Sequence, residues 1–197
     1  MQESIHFLSQ KDEVLKTIIA DFGLPIIQKR EEGFASMCHI ILEQQVSIAS
    51  AKAAYEKLVN LVGKVDPFNI SNATDQDLRT CGISRQKTLY LKDLARRVIN
   101  KELSFSSLPM KTEQQIRKEL IQIKGVGNWS IDVYLMFCMQ SQDIIPLGDI
   151  AIKNTLMELY NCQSEEEMLA ISFNWKPFRT LASFIIWHYY LKKRGKI

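Results

Sequence analysis

The sequence predicts an all-α fold, and three observations carry that expectation. Apolar residues recur at three- and four-residue spacing along most of the chain, as they do on the buried face of a helix. No stretch alternates apolar and polar residues over four or more positions between turn signals, as a half-buried strand would. The connections are tight and punctuated by Ser, Thr, Asp, Pro and Gly, the residues that start and stop helices. A chain of 197 residues holds one ordinary domain or two small lobes sharing a cleft.

In chain order, Val14, Leu15, Ile18, Ile19 and Phe22 line one face of a helix from Glu13 to Phe22. Phe34 to Leu42 is a second helix. After the polar group Glu43-Gln44-Gln45, Ser47 caps a third, Ile48 to Val62, and Gly63 ends it. Ser71 to Thr80 reads as short helical turns before Gly82. Ser84 opens a helix to about Asn100, with Leu89, Leu91, Leu94 and Val98 as its apolar stripe. Thr112 to Ile123 follows Pro109, and Trp129 to Met139 comes next. Asp149 opens a helix ending near Tyr160, Ser164 caps a short acidic one, and Trp175 to Lys193 is the last.

Composition narrows the class. With 46% hydrophobic and 24% charged residues, the chain has a real core and is not disordered. The apolar run from Ile131 to Met139 is broken by Asp132 and is too short to span a bilayer. The first residues lack a basic start followed by an apolar run, so a cytoplasmic address is expected, nucleoid-associated if the source is bacterial. A net charge of +3 admits nucleic acid without requiring it. Cys38, Cys81, Cys138 and Cys162 lie far apart with no CxxC. They read as buried free thiols and support neither a zinc site nor an iron-sulfur cluster, so no metal is assigned.

The segment Leu120-Ile-Gln-Ile-Lys-Gly-Val-Gly-Asn-Trp-Ser-Ile-Asp-Val is the most informative. An amphipathic helix runs into Gly125-Val126-Gly127 and another begins at once. Two glycines let the backbone turn with positive φ and no side chain in the way. The amides of such a turn, with the first turn of the next helix at Asn128, can hold a phosphate. Lys124 adds positive charge, and Val126 pins the turn to the core. The same GxG also suits a helix-helix corner that binds nothing. Downstream, Asp149 follows Pro146 and Gly148 at a helix start, 22 residues after Gly127. A carboxylate there meets the positive end of the helix dipole and the first-turn amides. An ordinary capping aspartate fits that position equally.

Hairpin, helix, loop and aspartate in this order resemble the helix-hairpin-helix (HhH-GPD) DNA glycosylase superfamily. The likeness implies a two-lobed helical bundle over 1–197, with a central lobe at about 34–145 carrying the hairpin and a second lobe combining 1–33 with 146–197. Three further segments extend the likeness over about residues 34 to 192. Leu42-Glu-Gln-Gln-Val-Ser-Ile-Ala resembles the segment those enzymes push into the minor groove. Leu78-Arg-Thr-Cys-Gly-Ile-Ser-Arg-Gln-Lys resembles the turn packed before the hairpin. Trp175-Lys-Pro-Phe-Arg, followed by Trp187, resembles the terminal helix of the 3-methyladenine DNA glycosylase II branch.

The resemblance implies base excision repair: alkylated purines, of the 3-methyladenine or 7-methylguanine type, flipped out of damaged duplex DNA and cut from their deoxyribose by a monomer. It implies Asp149 as the catalytic carboxylate, Lys124 to Asn128 as the backbone grip, and Gln45 with Gln44 beside it as the wedge. Trp129 and Trp187 resemble pocket residues, and an aromatic face attracts a cationic base; core packing is the plainer use of either ring. Related enzymes often carry another aromatic residue four places after the first tryptophan. Val133 stands there, with Tyr134 about 100° further round the helix, so a wider or less selective pocket is expected. Bifunctional members place a lysine where this chain has Trp129, so the resemblance implies a monofunctional enzyme. No cofactor is implied beyond a monovalent cation held by hairpin carbonyls. Arg85, Lys87 and Arg179 are candidate phosphate contacts. Other readings are a non-catalytic DNA-binding module, a glycosylase for another damaged base, and a helical interaction scaffold.

Overall fold

The computed structural model describes residues 2–195; residues 1, 196 and 197, the ends of the expected 1–197 unit, lie outside them. Twelve α-helices follow one another among the described residues. They are α1 (Gln2–Lys11), α2 (Glu13–Phe22), α3 (Phe34–Glu43), α4 (Ile48–Val62), α5 (Pro67–Asn72), α6 (Asp75–Thr80), α7 (Arg85–Ile99), α8 (Glu113–Leu120), α9 (Asn128–Phe137), α10 (Ile150–Tyr160), α11 (Glu165–Phe173) and α12 (Arg179–Lys193), with a 3-10 turn at Phe105–Met110. No strand occurs among the described residues, and no helix there is long and apolar enough to cross a membrane.

Most helix starts follow from their first residues. Asp12, Ser47, Asp66, Thr74, Ser84, Thr112, Asp149 and Ser164 each accept a first-turn amide with the side chain. Helix α1 was not expected. Its apolar residues are few, Ile5, Phe7 and Leu8, and only Leu8 is buried along it. The last helix begins at Arg179 rather than Trp175, because Pro177 lacks an amide proton and disfavours helix at Lys176.

The chain divides into two compact units, Met1–Lys29 with Leu135–Ile197, and Arg30–Tyr134. This division falls inside α9, earlier than the 145/146 boundary expected from sequence. The first unit packs α12 against α1, α2 and α10 around Leu8, Leu15, Ile152, Leu156, Trp175 and Ile185. Asp12 organises its interior. Oδ2 accepts the Trp175 indole N–H at 2.7 Å and the Tyr160 hydroxyl at 2.9 Å, while Oδ1 caps α2 through the Leu15 amide. The end of α9 belongs to this unit because Phe137 packs edge-on to Phe184 of α12, centroids 5.0 Å apart.

In the second unit α3 packs on α4 and α7, and α5 on α7. The two helices flanking the Gly125 turn are braced by an ion pair, Arg117 Nη2 to Asp132 Oδ1 at 2.7 Å, with Asp132 only 9% exposed. Burial raises the Asp132 carboxyl above its ordinary value against the pull of Arg117. Replacing Arg117 with Met is expected to cost about 2–3 kcal/mol at neutral pH, because a buried carboxylate loses its partner. A raised folded-state pKa makes the folded protein bind the proton more tightly than the unfolded one. Without Arg117 that carboxyl is raised further, so the deficit should shrink as pH falls into the carboxylate range, and chemical denaturation across pH would show a pH-independent deficit if the pair were not the cause.

Candidate nucleic-acid interface and catalytic residues

Gly125 takes φ +77°, and an added Cβ would lie 2.2 Å from the Tyr90 ring. It therefore needs to be glycine twice over, for its backbone and for the ring lying flush against it. Gly127 differs from expectation. It does not have the left-handed φ, and a Cβ there would meet nothing within 4 Å. What it provides is open space at the start of α9, where a helix leaves its first amides without intrahelical acceptors. Val126 is buried between them, as expected, while Lys124 and Asn128 are exposed. The Lys124 amide donates to Asp93 Oδ2 at 2.9 Å. Burial would raise Asp93, but that amide together with Arg97 and Arg96 holds its carboxyl below the usual range.

The two glutamines expected at the wedge separate. Gln44 is half-buried, and its Nε2 donates to the Gly125 carbonyl and to Ser130 Oγ, both at 2.9 Å. It braces the hairpin. Gln45 is exposed and left-handed at φ 54°, so it alone of the pair projects from the turn between α3 and α4. Val126 N–H occupies the Ile123 carbonyl and Gln44 the Gly125 carbonyl. Each of these two carbonyls keeps a second lone pair. Among the described residues no group of three or more His, Cys, Asp or Glu could hold a metal ion.

Asp149 is half-buried and caps α10. Three donors converge on its Oδ1: the amides of Ala151 at 2.9 Å and Ile152 at 3.1 Å, and the indole N–H of Trp187 at 3.1 Å. They fix the orientation of the carboxylate. Trp187 is itself seated against Phe137 and Phe184, with centroids 6.0 and 5.9 Å away. Sequence reasoning assigned Trp187 an aromatic face and missed its N–H. Nothing in the local pattern links it to Asp149.

Other expected site residues are placed differently. Tyr134 is fully buried and its hydroxyl accepts the Gly33 amide at 2.9 Å, so it supports the start of α3. Val133 is 4% exposed. Both side chains are buried. Trp129 is half-buried in the first turn of α9. Of the candidate phosphate contacts, Arg85 is exposed. Arg179 makes a two-nitrogen pair with the Asp143 carboxylate, and Lys87 donates to two backbone carbonyls; both are engaged within the fold.

A glycine turn between two helices, followed by a helix and a capped aspartate, defines a helix-hairpin-helix protein. The profile of the HhH-GPD superfamily base excision DNA repair proteins matches residues 38–179, and this chain belongs to that superfamily. Bacillus subtilis YfjP, provisionally named a DNA-3-methyladenine glycosylase, is 31% identical over 162 residues, 77% of this chain and 56% of that protein. The DNA-3-methyladenine glycosylase of the same species is 27% identical over 196 residues, 91% of this chain and 64% of its own length. The chain thus spans about 56–64% of these two relatives. The crystal structure of a Bacillus halodurans DNA-3-methyladenine glycosidase superposes with TM-score 0.79 at 26% identity, covering 96% of this chain and 89% of that one. A Schizosaccharomyces pombe 3-methyladenine DNA glycosylase, solved with abasic DNA, shares the fold at TM-score 0.84 and 22% identity, covering 98% and 97%.

Proposed function

We propose that this chain is a monofunctional DNA glycosylase acting as a monomer on damaged duplex DNA. It hydrolyses the N-glycosidic bond of alkylated purines of the 3-methyladenine and 7-methylguanine type and leaves an abasic site. The observation that carries the reading is the Asp149 carboxylate, held by three N–H donors one helix and one loop beyond the hairpin. The names of the relatives support the substrate class.

In this reading the hairpin amides grip a phosphate and Gln45 fills the gap left by the flipped base. The C1′–N bond breaks with its electron pair going to the base. Alkylation has already made that base cationic, so it leaves neutral and needs no strong acid. Positive charge develops on the sugar, where the Asp149 carboxylate stabilises it. Water then bonds to C1′, and its proton passes to Asp149 and on to solvent. Trp129 offers an aromatic face to the cationic base.

Trp129 also stands at the lyase-lysine position of the bifunctional enzymes and cannot form a Schiff base. Lys153, one turn on from Asp149, is paired with Glu165 at 3.0 Å. Methylated duplex DNA incubated with the protein should yield free 3-methyladenine or 7-methylguanine and unbroken strands carrying abasic sites. Borohydride should trap no covalent adduct. A trapped adduct would overturn the monofunctional assignment, and DNA binding with no base release would favour a binding module.

A further inference from the structure

Helix α7 reaches two separate parts of the proposed DNA-binding surface from one face. Lys87 Nζ donates to the carbonyls of Leu42 at 2.7 Å and Gln44 at 2.8 Å, at the C-terminal end of α3. Tyr90 lays its ring against Gly125, and Asp93 accepts the Lys124 amide. Residues three apart on a helix are neighbours, so positions 87, 90 and 93 form one ridge inclined to the axis. The turn that projects Gln45 is fastened at the first of these positions and the hairpin at the other two. Gln44 closes the figure by bonding from the turn to Gly125 and Ser130.

We propose that Lys87 is a positioning residue that holds the Gln45 turn in register with the hairpin, so that gripping the backbone and filling the vacated base position occur together. The inference rests on the glycosylase reading and on Gln45 as the wedge. Its physical basis is local. A helix C-terminus presents carbonyls without intrahelical donors and a negative dipole end, and the Lys87 ammonium supplies both donors and charge. Gln45 beside it holds the left-handed conformation, which a non-glycine residue keeps only where its surroundings impose it. Burial lowers the Lys87 amine from its ordinary pKa, in keeping with a lysine turned into the fold rather than toward a phosphate. Releasing the clamp would let the turn relax and would misplace the wedge without touching the reacting atoms.

The test compares wild type with Lys87→Met, which keeps the reach and removes the donors, and with Lys87→Arg, which restores donors. Gln44→Met serves as an independent cut of the same framework should Lys87→Met fail to fold by circular dichroism. Single-turnover release of 7-methylguanine is measured from duplex and from single-stranded DNA, alongside Kd for a duplex holding a tetrahydrofuran abasic analogue. Expected for Lys87→Met is a loss of about tenfold on duplex, with single-strand release and Kd nearly unchanged and most of the loss recovered by Lys87→Arg. Equal losses on both substrates, a weaker Kd with a shallower salt dependence, or no loss at all would overturn the proposal. If wild type released no base, the glycosylase reading would fall instead. Fluorescence of 2-aminopurine beside the abasic analogue would then decide the wedge: a signal altered by Lys87→Met supports the clamp, and an unaltered one overturns it.

Discussion

Asp149→Asn is expected to slow base release by about 10²–10³-fold, the size of effect seen when a group aimed at transition-state charge is removed. The substitution isolates charge from structure. Asparagine caps helices as well as aspartate does, and its carbonyl oxygen can still accept the Ala151, Ile152 and Trp187 N–H groups that reach Oδ1. Thermal unfolding and affinity for an abasic-analogue duplex should therefore stay near wild type while single-turnover release collapses. Equal release by the two proteins would place the chemistry elsewhere and return Asp149 to a capping role.

The second large effect separates the two hairpin glycines. Gly125→Ala places a β-carbon on a left-handed backbone and drives it to 2.2 Å from the Tyr90 ring. Backbone strain and overpacking together should cost about 3 kcal/mol, which lowers Tm by about 6–12 °C in a chain of this size. Gly127→Ala should fold normally, since its β-carbon meets nothing within 4 Å and its φ is not left-handed. Its methyl group instead stands where a phosphate would approach the first amides of α9. Duplex binding should weaken, with a salt dependence shallower by about one phosphate contact. Calorimetry and salt-titrated binding give the comparison. Matching Tm losses, or unchanged binding by Gly127→Ala, would contradict the division of labour.

The hairpin and the capped aspartate were legible because their signals are short-range. Gly125-Val126-Gly127 between an amphipathic run and a largely apolar one reads as a tight inter-helix turn. Asp149 behind Pro146 and Gly148 is a helix start. Helix α1 was not legible, since Ile5, Phe7 and Leu8 are too few to mark an apolar stripe and the helix depends on burying Leu8 in a core assembled from distant segments. The surroundings of several expected site residues were not legible for a related reason. Tyr134 was a fair pocket residue by position, but its depth in the unit and the Gly33 amide waiting there belong to packing. Lys87 and Arg179 looked like phosphate contacts because charge is visible in a sequence and its partner is not.

By itself, then, the sequence determined the all-helical class, the position of the hairpin, the cap at Asp149 and the resemblance that follows from their order. Each depends on periodicity, capping or backbone freedom within about a turn or two of chain. Only the tertiary structure decided that Trp187 donates to Asp149, that Gln44 braces Gly125 while Gln45 projects, and that α7 fastens both the turn and the hairpin. These pairings join residues far apart in sequence. A polar side chain takes whichever partner the packed helices bring within about 3 Å, and no local pattern encodes that choice.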